Sequence, residues 1–405
     1  MTRHDHPRDH GSPHGQGPAR EPGRSRGQGR LRELDLLRFL AALAVVLFHF
    51  TGFDGAGPWP EPSRELFGTL GQITKYGYLG VDLFFLISGF VILMSAWGRS
   101  PGEFGISRVV RLLPAYWAGV LLGLAIWAGF RLGNGVPGLV VPNLTMLQSG
   151  LGLKNVDAVF WTLWIEMHFY VLIAVLAAIG ITYRGCLVFM AGWLLAGIFA
   201  DEADQKLLQV MLMPTWSPYF IGGMALYLIY RFGPTLLLWG YVAVSWLLAM
   251  HWGAWRTGHV FQGSDETVVA VAVTAIFGVM ILVVTGRLSW LRWRALTVLG
   301  ALTYPLYLTH SQVALPLLKY AYPAMNRWAA LVLATAVSLL VAYAVYRLIE
   351  RPGQSWMRAR LKESLIPIRE NQDAGRKRRE TPTAAPSARP ETPPPTGTVP
   401  ELIRR

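Results

Sequence analysis

The chain has few of the charged residues that a soluble protein of its length needs on its surface. Only 15% of its 405 residues are charged, whereas 53% are hydrophobic, and its mean hydropathy is +0.36. A soluble domain usually has about 25% charged residues, so this composition predicts a membrane protein. The 16 tryptophans and 42 glycines agree, because tryptophan collects at the membrane surface and glycine is tolerated in membrane helices.

Cysteine is nearly absent as well. The single cysteine, Cys186, excludes a disulfide within the chain and any zinc site built from cysteines. We expect no metal, because four N-terminal histidines have no rigid element to fix their geometry. They are His4, His6, His10 and His14. The sequence also lacks a P-loop, an HExxH pair, a GxSxG elbow and a CxxC pair, so it carries none of these catalytic signatures.

Composition divides the chain into three segments. Residues 1–33 and 353–405 are polar and rich in Gly, Pro, Arg or Thr, so we expect both to be disordered cytoplasmic tails. Residues 34–352 contain apolar stretches of the length that crosses a bilayer, about 20 residues. We predict ten spans, near 34–50, 79–97, 109–130, 161–180, 185–200, 215–230, 234–251, 267–285, 295–318 and 328–349. The predicted fold class is an all-α polytopic membrane helix bundle of about ten transmembrane helices.

The basic residues indicate the orientation. Most of the 37 Lys and Arg residues fall in the two tails and in short loops on the same side, whereas Asp201 and Glu202 fall on the other side. Because positive residues accumulate on the cytoplasmic face, we expect both termini in the cytoplasm of a multi-pass cell-membrane protein. The net charge of +13 comes mostly from the tails, so it predicts contact with the lipid bilayer and no nucleic-acid partner.

Few ionisable residues lie inside the predicted spans. Such a group costs about 2.5 to 3.5 kcal/mol in a membrane, which makes a functional role the default interpretation. Depth counting places His49, Asp82, Glu166 and His310 in one layer of the outer half. We expect these side chains to share one cavity, because isolated charges at that depth would face lipid. A structural hydrogen bond between helices, or a structural partnership with a histidine, is the alternative.

Two arginine patterns lie at the cytoplasmic ends of the spans. Arg38 precedes His49 by eleven residues, so the two share one helix face about 16 Å apart along the axis. Arg108 and Arg111 open the third span three residues apart, and two guanidiniums on one face suit the phosphates of a phosphorylated cofactor. Anchoring of the helix end to lipid headgroups explains the same pair equally well.

Six motifs, in this order, resemble the integral-membrane acyltransferase 3 family. They are the R-x10-H of the first span, GVDLFFLISGF, RxxR with RLLPAYW, WTLWIEMHFY, YPLYLTH and LIERP. The resemblance covers residues 34–352. The family includes enzymes that acylate bacterial surface polysaccharides, and others that acylate macrolides and other secondary metabolites.

The resemblance implies an O-acyltransferase. It would move an acyl group, with acetyl expected, from cytoplasmic acyl-CoA to a hydroxyl of a sugar, polysaccharide or secondary-metabolite acceptor. The motif match makes His49 and Arg38 the catalytic pair, and imidazole can serve as general base or acyl carrier. The same match makes Arg108 and Arg111 contacts of the donor.

Other residues of the predicted spans are expected to support the imidazole or to contact the substrate. Asp82 or Glu166 is expected to fix the imidazole tautomer and stabilise its cation, and the sequence leaves open which one does so. Contacts to the substrate are expected from Tyr170, Tyr307 and His310.

Two other functions fit some of these residues. Intramembrane His, Asp and Glu also build the proton relays of transporters and flippases. A glycerolipid acyltransferase would use the H-x4-D spacing of His49 and Asp54. Hydrolysis of labelled acetyl-CoA, or a labelled product, distinguishes an enzyme from a transporter.

Overall fold

The fold is a bundle of α-helices with no strand among the residues that a computed structural model of the chain describes. These residues are 31–53, 59, 61–130, 140–261, 263–291 and 293–361. The helices are α1 (Arg32–Leu47), α2 (Ser63–Phe67), α3 (Thr69–Thr74), α4 (Gly80–Ala96), α5 (Pro101–Phe130), α6 (Val140–Leu144), α7 (Trp161–Ile179), α8 (Tyr183–Glu202), α9 (Lys206–Leu212), α10 (Ser217–Phe232), α11 (Leu236–His259), α12 (Glu266–Val284), α13 (Ala295–Ala321) and α14 (Arg327–Val345). The predicted all-α polytopic bundle is confirmed.

Eight helical segments of the described chain are long and apolar enough to cross a membrane. They are Arg32–Gly52, Thr69–Ala96, Pro101–Gly129, Ala158–Ile179, Tyr183–Glu202, Leu236–His259, Glu266–Val284 and Arg327–Leu361. The other two predicted spans correspond to α10, which has 16 residues, and α13, which contains two prolines and buried polar side chains. Both helices are largely enclosed by their neighbours, so they do not need a fully apolar surface. The chain is a multi-pass membrane protein.

The helix boundaries follow local capping signals. Four helices begin after a residue whose side-chain oxygen accepts a hydrogen bond from a backbone N–H of the first turn, as N-caps do. These residues are Thr182, Thr235, Asp265 and Asn326. Gly180 and Gly233 end α7 and α10 with φ of 107° and 93°, a backbone conformation that favours glycine.

Two glycines bring α4 and α10 into backbone contact. A Cβ atom on Gly89 would collide with the Phe220 carbonyl oxygen, and one on Gly223 would collide with the Leu86 carbonyl oxygen. Small residues allow membrane helices to approach this closely. The contact fixes the N-terminal half of α10 against α4.

The described chain extends beyond the predicted membrane domain at both ends. Helix α1 begins at Arg32, and helix continues over residues 351–361 after a π-helical turn at Tyr346–Glu350. The predicted C-terminal tail therefore begins too early in the sequence. The predicted tails otherwise lie outside the described residues, as does Asp54 of the H-x4-D spacing.

Candidate active site

A large cavity opens at the end of the bundle where α1 begins. It has a volume of about 1180 Å³ and lies between α1, α4, α5, α7, α10 and α13. Its described lining has more positive than negative side chains. The charged residues are Asp35, Arg38, Arg99, Arg108, Arg111, Glu166 and Arg231. Guanidinium groups match the oxygens of phosphate, so the cavity suits a polyanionic ligand.

Arg108 stacks on aromatic rings in the wall of this cavity. Its Cζ lies 5.6 Å from the centroid of the Phe104 ring and 5.9 Å from that of Tyr170. Its Nε donates to Ser107 Oγ at 3.3 Å, and its two terminal nitrogens make no hydrogen bond to a described residue. These nitrogens are therefore available to a ligand. Tyr170, a predicted substrate contact, lines the cavity beside them.

Arg111 lies about one turn further along α5, and among the described residues its guanidinium has only a long ion pair. Its Nη1 is 3.9 Å from Glu350 Oε1, and its side chain is 42% exposed. Glu350 also accepts a hydrogen bond from Gln354 Nε2 at 2.9 Å. The LIERP motif therefore contacts the RxxR motif. A separation of 3.9 Å exceeds hydrogen-bond distance, so the guanidinium retains donors for a ligand.

Arg38 is half-buried in the same cavity. It lies within electrostatic range of Asp35, Arg111 and Glu166. It makes no hydrogen bond to a described residue, so its guanidinium donors are free. The structure thus brings together the three arginines that the sequence singles out.

Glu166 lines the cavity and is separate from the predicted histidine layer. Its Oε1 accepts a hydrogen bond from Ser88 Oγ at 3.0 Å, and Ser88 lies almost two turns beyond Asp82 on α4. No hydrogen bond joins Glu166 to His49 or His310 in the described chain. The predicted single polar layer is therefore corrected, because Glu166 belongs to the arginine-lined cavity.

His49 and His310 meet at the opposite end of α1. His310 Nε2 lies 3.2 Å from His49 Nδ1, and the ring centroids are 5.1 Å apart. His310 Nδ1 lies 3.1 Å from Leu306 O and 2.9 Å from Tyr307 O. His49 Nδ1 lies 2.9 Å from Val45 O. A carbonyl oxygen only accepts, so we infer that each Nδ1 carries a hydrogen.

This tautomer assignment fixes the roles of the other ring nitrogens. His310 Nε2 accepts from the His49 Nδ1–H group, and His49 Nε2 keeps a free lone pair. His49 Nε2 makes no hydrogen bond to a described residue. His49 lies on a π-helical turn, Phe48–Gly52, a distortion that is frequent at functional sites. An imidazole with a free basic nitrogen can take a proton from a hydroxyl.

Tyr307 forms a wall between the cavity and the histidines. Its hydroxyl lies 2.8 Å from Thr162 Oγ1 and donates to Val159 O at 3.1 Å, while its ring packs edge to face on Phe84 at 5.8 Å. These three side chains, Tyr307, Thr162 and Phe84, line the cavity, whereas neither histidine does. Tyr307 is thus placed between the arginines and the imidazole pair.

Asp82 belongs to a buried ion pair. Arg256 Nη1 and Nη2 donate to its two oxygens at 2.9 and 2.6 Å, and Tyr219 OH donates to Oδ2 at 2.8 Å. Asp82 is fully buried and Arg256 is 2% exposed. The predicted role of Asp82 beside the imidazole is corrected, because its charge is compensated by Arg256.

Comparison with known proteins identifies the family. The family described as an acyltransferase domain matches residues 31–347. The chain belongs to this acyltransferase family. Acyltransferase MdmB of Streptomyces mycarofaciens is 27% identical over 330 residues, which cover 70% of this chain and 79% of that protein. Nodulation protein 10 of Rhizobium leguminosarum bv. viciae is 26% identical over 255 residues, which cover 55% and 68%. No solved structure matches the chain.

Asp157 is a carboxylate of the acyltransferase that the sequence reasoning missed. It accepts hydrogen bonds from Ser311 Oγ and from Val159 N, and it lies within electrostatic range of His49. Burial raises the pKa of Asp157, and these hydrogen bonds oppose that rise. Its sequence signal was weak, because it stands in a loop before the WTLWIEMHFY motif. Within the described ranges, no group of three or more His, Cys, Asp or Glu residues could hold a metal ion.

Arg256 is a second residue of the acyltransferase that the sequence did not predict to be important. The predicted seventh span ends at residue 251, which places Arg256 in a loop, whereas α11 continues to His259. An arginine inside a membrane helix is itself a signal for a carboxylate partner. The longer helix carries Arg256 to Asp82.

Proposed function

We propose that this acyltransferase transfers an acyl group, acetyl in the simplest case, from acyl-CoA to a hydroxyl of a sugar, polysaccharide or secondary-metabolite acceptor. The observation that carries the proposal is the arrangement of an arginine-lined cavity and a histidine pair on either side of one tyrosine. Membership of an acyltransferase family favours chemistry over transport.

The donor part of the proposal rests on charge and size. A CoA thioester has phosphate groups at one end and the acyl group at the other. Arg38, Arg108 and Arg111 have guanidinium donors without strong protein partners, and a cavity of about 1180 Å³ accommodates a large ligand. The phosphates would bind these arginines while the pantetheine arm extends toward Tyr307.

The chemical step uses the free nitrogen of His49. His49 Nε2 takes the proton of the acceptor hydroxyl as its oxygen attacks the thioester carbonyl carbon. The carbon–sulfur bond breaks, the CoA thiolate leaves, and the proton on the imidazole returns to the sulfur. His310 accepts from the His49 Nδ1–H group throughout, and the charge of Asp157 favours the transient imidazolium.

The proposal includes the orientation predicted from the basic residues. Both termini would lie in the cytoplasm, so the arginine-lined cavity would receive cytoplasmic donor. His49 and His310 would then lie toward the outer face, where an extracytoplasmic acceptor arrives. Transfer would proceed across the Tyr307 wall, which must open to admit the acyl group.

Purified protein with labelled acetyl-CoA tests the function. Wild-type protein is expected to hydrolyse the donor or to label an added acceptor, and His49→Ala is expected to abolish both while the protein still inserts into membranes. His251→Ala is a matched control, because His251 is an exposed histidine on α11. An inactive wild type with acetyl-CoA that is active with another acyl donor would overturn the CoA assignment alone. Full activity of His49→Ala would overturn the role of the imidazole.

A donor-only incubation separates the two roles of His49. A base leaves no adduct, whereas an acyl carrier forms an acyl-imidazole that is labile to acid. Peptide mapping after incubation with labelled acetyl-CoA measures this. Label on His49 in the absence of acceptor would replace the base mechanism with a two-step transfer.

A further inference from the structure

A second cavity lies outside the site described above. It has a volume of about 440 Å³ and is formed by α7, the end of α8, α9, the turn before α10, and α11. Four tryptophans, one carboxylate and one amide are the side chains of its lining on which the inference rests. They are Trp164, Trp216, Trp252, Trp255, Asp201 and Gln209. The volume is within the range of small-molecule sites, about 300 to 1,000 Å³.

The carboxylate, the amide and the indole N–H groups of this tryptophan pocket have no hydrogen-bond partner in the part of the chain that the structure describes. Other indoles of the chain do donate to the protein. Those of Trp59, Trp117, Trp193 and Trp246 each make a hydrogen bond. The pocket therefore combines aromatic faces with free donors and acceptors.

Neighbouring contacts hold the pocket in shape. Met213, which is buried, has a φ of 50° and accepts the backbone N–H of Trp216. Methionine rarely adopts this left-handed backbone conformation. The conformation is strained and persists where the surrounding structure enforces it. Trp255 stacks on His259 at 4.5 Å, and Trp164 packs edge to face on His168 at 4.4 Å.

The pocket shares a wall with the active-site region. The Trp216 ring contacts the Phe85 ring at 5.4 Å, and Phe85 lines the large cavity. The Arg256 guanidinium, which binds Asp82, also lies over the Trp216 ring, with its Cζ 4.6 Å from the ring centroid. A ligand in the pocket therefore lies next to the helices that hold the donor cavity. It also lies at the same end of α4 as Asp82.

We propose that the tryptophan pocket binds a pyranose ring of a carbohydrate acceptor. This inference rests on the proposed function, because it names the class of the acceptor. The electron-rich faces of indoles attract the C–H groups on the apolar face of a sugar ring. Sugar hydroxyls supply both donors and acceptors for the Asp201 carboxylate, the Gln209 amide and the indole N–H groups.

Two other ligands match the pocket less well. A lipid acyl chain would leave every one of the polar groups unsatisfied, which is costly in a desolvated site. A quaternary ammonium would satisfy the tryptophan faces and Asp201, but it has no acceptor for the indole N–H groups and no partner for Gln209. A sugar ring uses all three kinds of group.

Saturation-transfer NMR on the full chain tests the inference. The protein is placed in nanodiscs of phosphatidylethanolamine and phosphatidylglycerol, because these lipids carry neither a sugar nor a quaternary ammonium. The probes are methyl glucoside, methyl galactoside and methyl mannoside, with choline chloride as the cationic probe. We expect saturation transfer to at least one glycoside and none to choline.

Variants locate the bound glycoside. Trp255→Ala and Asp201→Asn are each expected to weaken binding about fivefold or more, and Trp255→Phe is expected to retain part of it. Trp328→Ala is the matched control, since Trp328 is a 46% exposed tryptophan outside the pocket. His49→Ala is expected to bind the glycoside normally, so the loss of acyl transfer does not affect the saturation-transfer measurement.

Three results would overturn the inference. The first is the absence of saturation transfer to any glycoside. The second is equal glycoside binding by wild type, Trp255→Ala and Asp201→Asn. The third is choline binding that the same two variants abolish. Each of these leaves the acyltransferase proposal intact if labelled acetyl-CoA is still consumed. Glycoside binding without any acyl transfer would instead support the pocket and count against the proposed function.

Discussion

Replacing His310 with alanine tests the proposed catalytic role of His49. His49 Nδ1 has two hydrogen-bond acceptors. Val45 O lies 2.9 Å away and His310 Nε2 lies 3.2 Å away. Removing the imidazole leaves one of these two acceptors. We expect His310→Ala to lower kcat while the donor KM stays unchanged, because His310 does not line the arginine-lined cavity that is proposed to bind the donor.

The size of the effect follows from the geometry. A hydrogen bond from a charged donor is worth about 1.5 to 3 kcal/mol, and His49 is charged only when it holds the substrate proton. The 3.2 Å distance is at the long end of the hydrogen-bond range, and Val45 O remains. We therefore take the lower figure, about 1.5 kcal/mol, which corresponds to a roughly tenfold loss of kcat. Removing His49 itself should cost about a hundredfold or more.

A conservative variant separates positioning from packing. In His310→Gln the amide oxygen can accept from His49 Nδ1–H, so we expect most of kcat to return. The measurement is the steady-state rate of acyl transfer from labelled acetyl-CoA, at matched membrane levels, with His251→Ala as the control histidine. Wild-type kcat in His310→Ala, or a His310→Gln enzyme as slow as His310→Ala, would refute the hydrogen-bond assignment.

Three further predictions follow from the arginines and the orientation. Arg108→Ala or Arg111→Ala should raise the donor KM about tenfold or more. A lysine at either position should restore only part of donor binding, because lysine lacks the planar pair of donors. An unchanged donor KM at normal expression would contradict a donor site. Asp82→Asn should destabilise the fold by about 3 to 5 kcal/mol, because it leaves the Arg256 charge buried and unpaired, and adding Arg256→Met should recover most of this stability. Thermal unfolding in detergent measures the stability. Equal stability of Asp82→Asn and wild type would contradict the buried pair. Reporter fusions at 201–204 and in the C-terminal tail should report opposite sides of the membrane, and a same-side result would mean that the spans between 185 and 251 are miscounted.

Local features of the sequence predicted the class of fold and the family. Apolar stretches of membrane length are visible without knowledge of contacts, and the structure has helices at all ten predicted positions. The RxxR motif and Arg38 were also found in this way, because charged residues stand out beside long apolar runs. The role of His49 remains a prediction, and its place on the first helix was predicted from sequence.

Residue pairs were decided only by tertiary structure. His49 and His310 are 261 residues apart, and Arg256 and Asp82 are 174 residues apart. Depth counting could place a side chain along the membrane normal but not around a helix, so it grouped Glu166 with the histidines. Which carboxylate faces which cation depends on helix rotation and on where each helix ends. Helix rotation and helix ends are set by the packing of the bundle, because a side chain in a membrane interior takes its partner from the helix that is packed against it. The backbone contact of α4 with α10 and the extension of α11 to His259 are two examples.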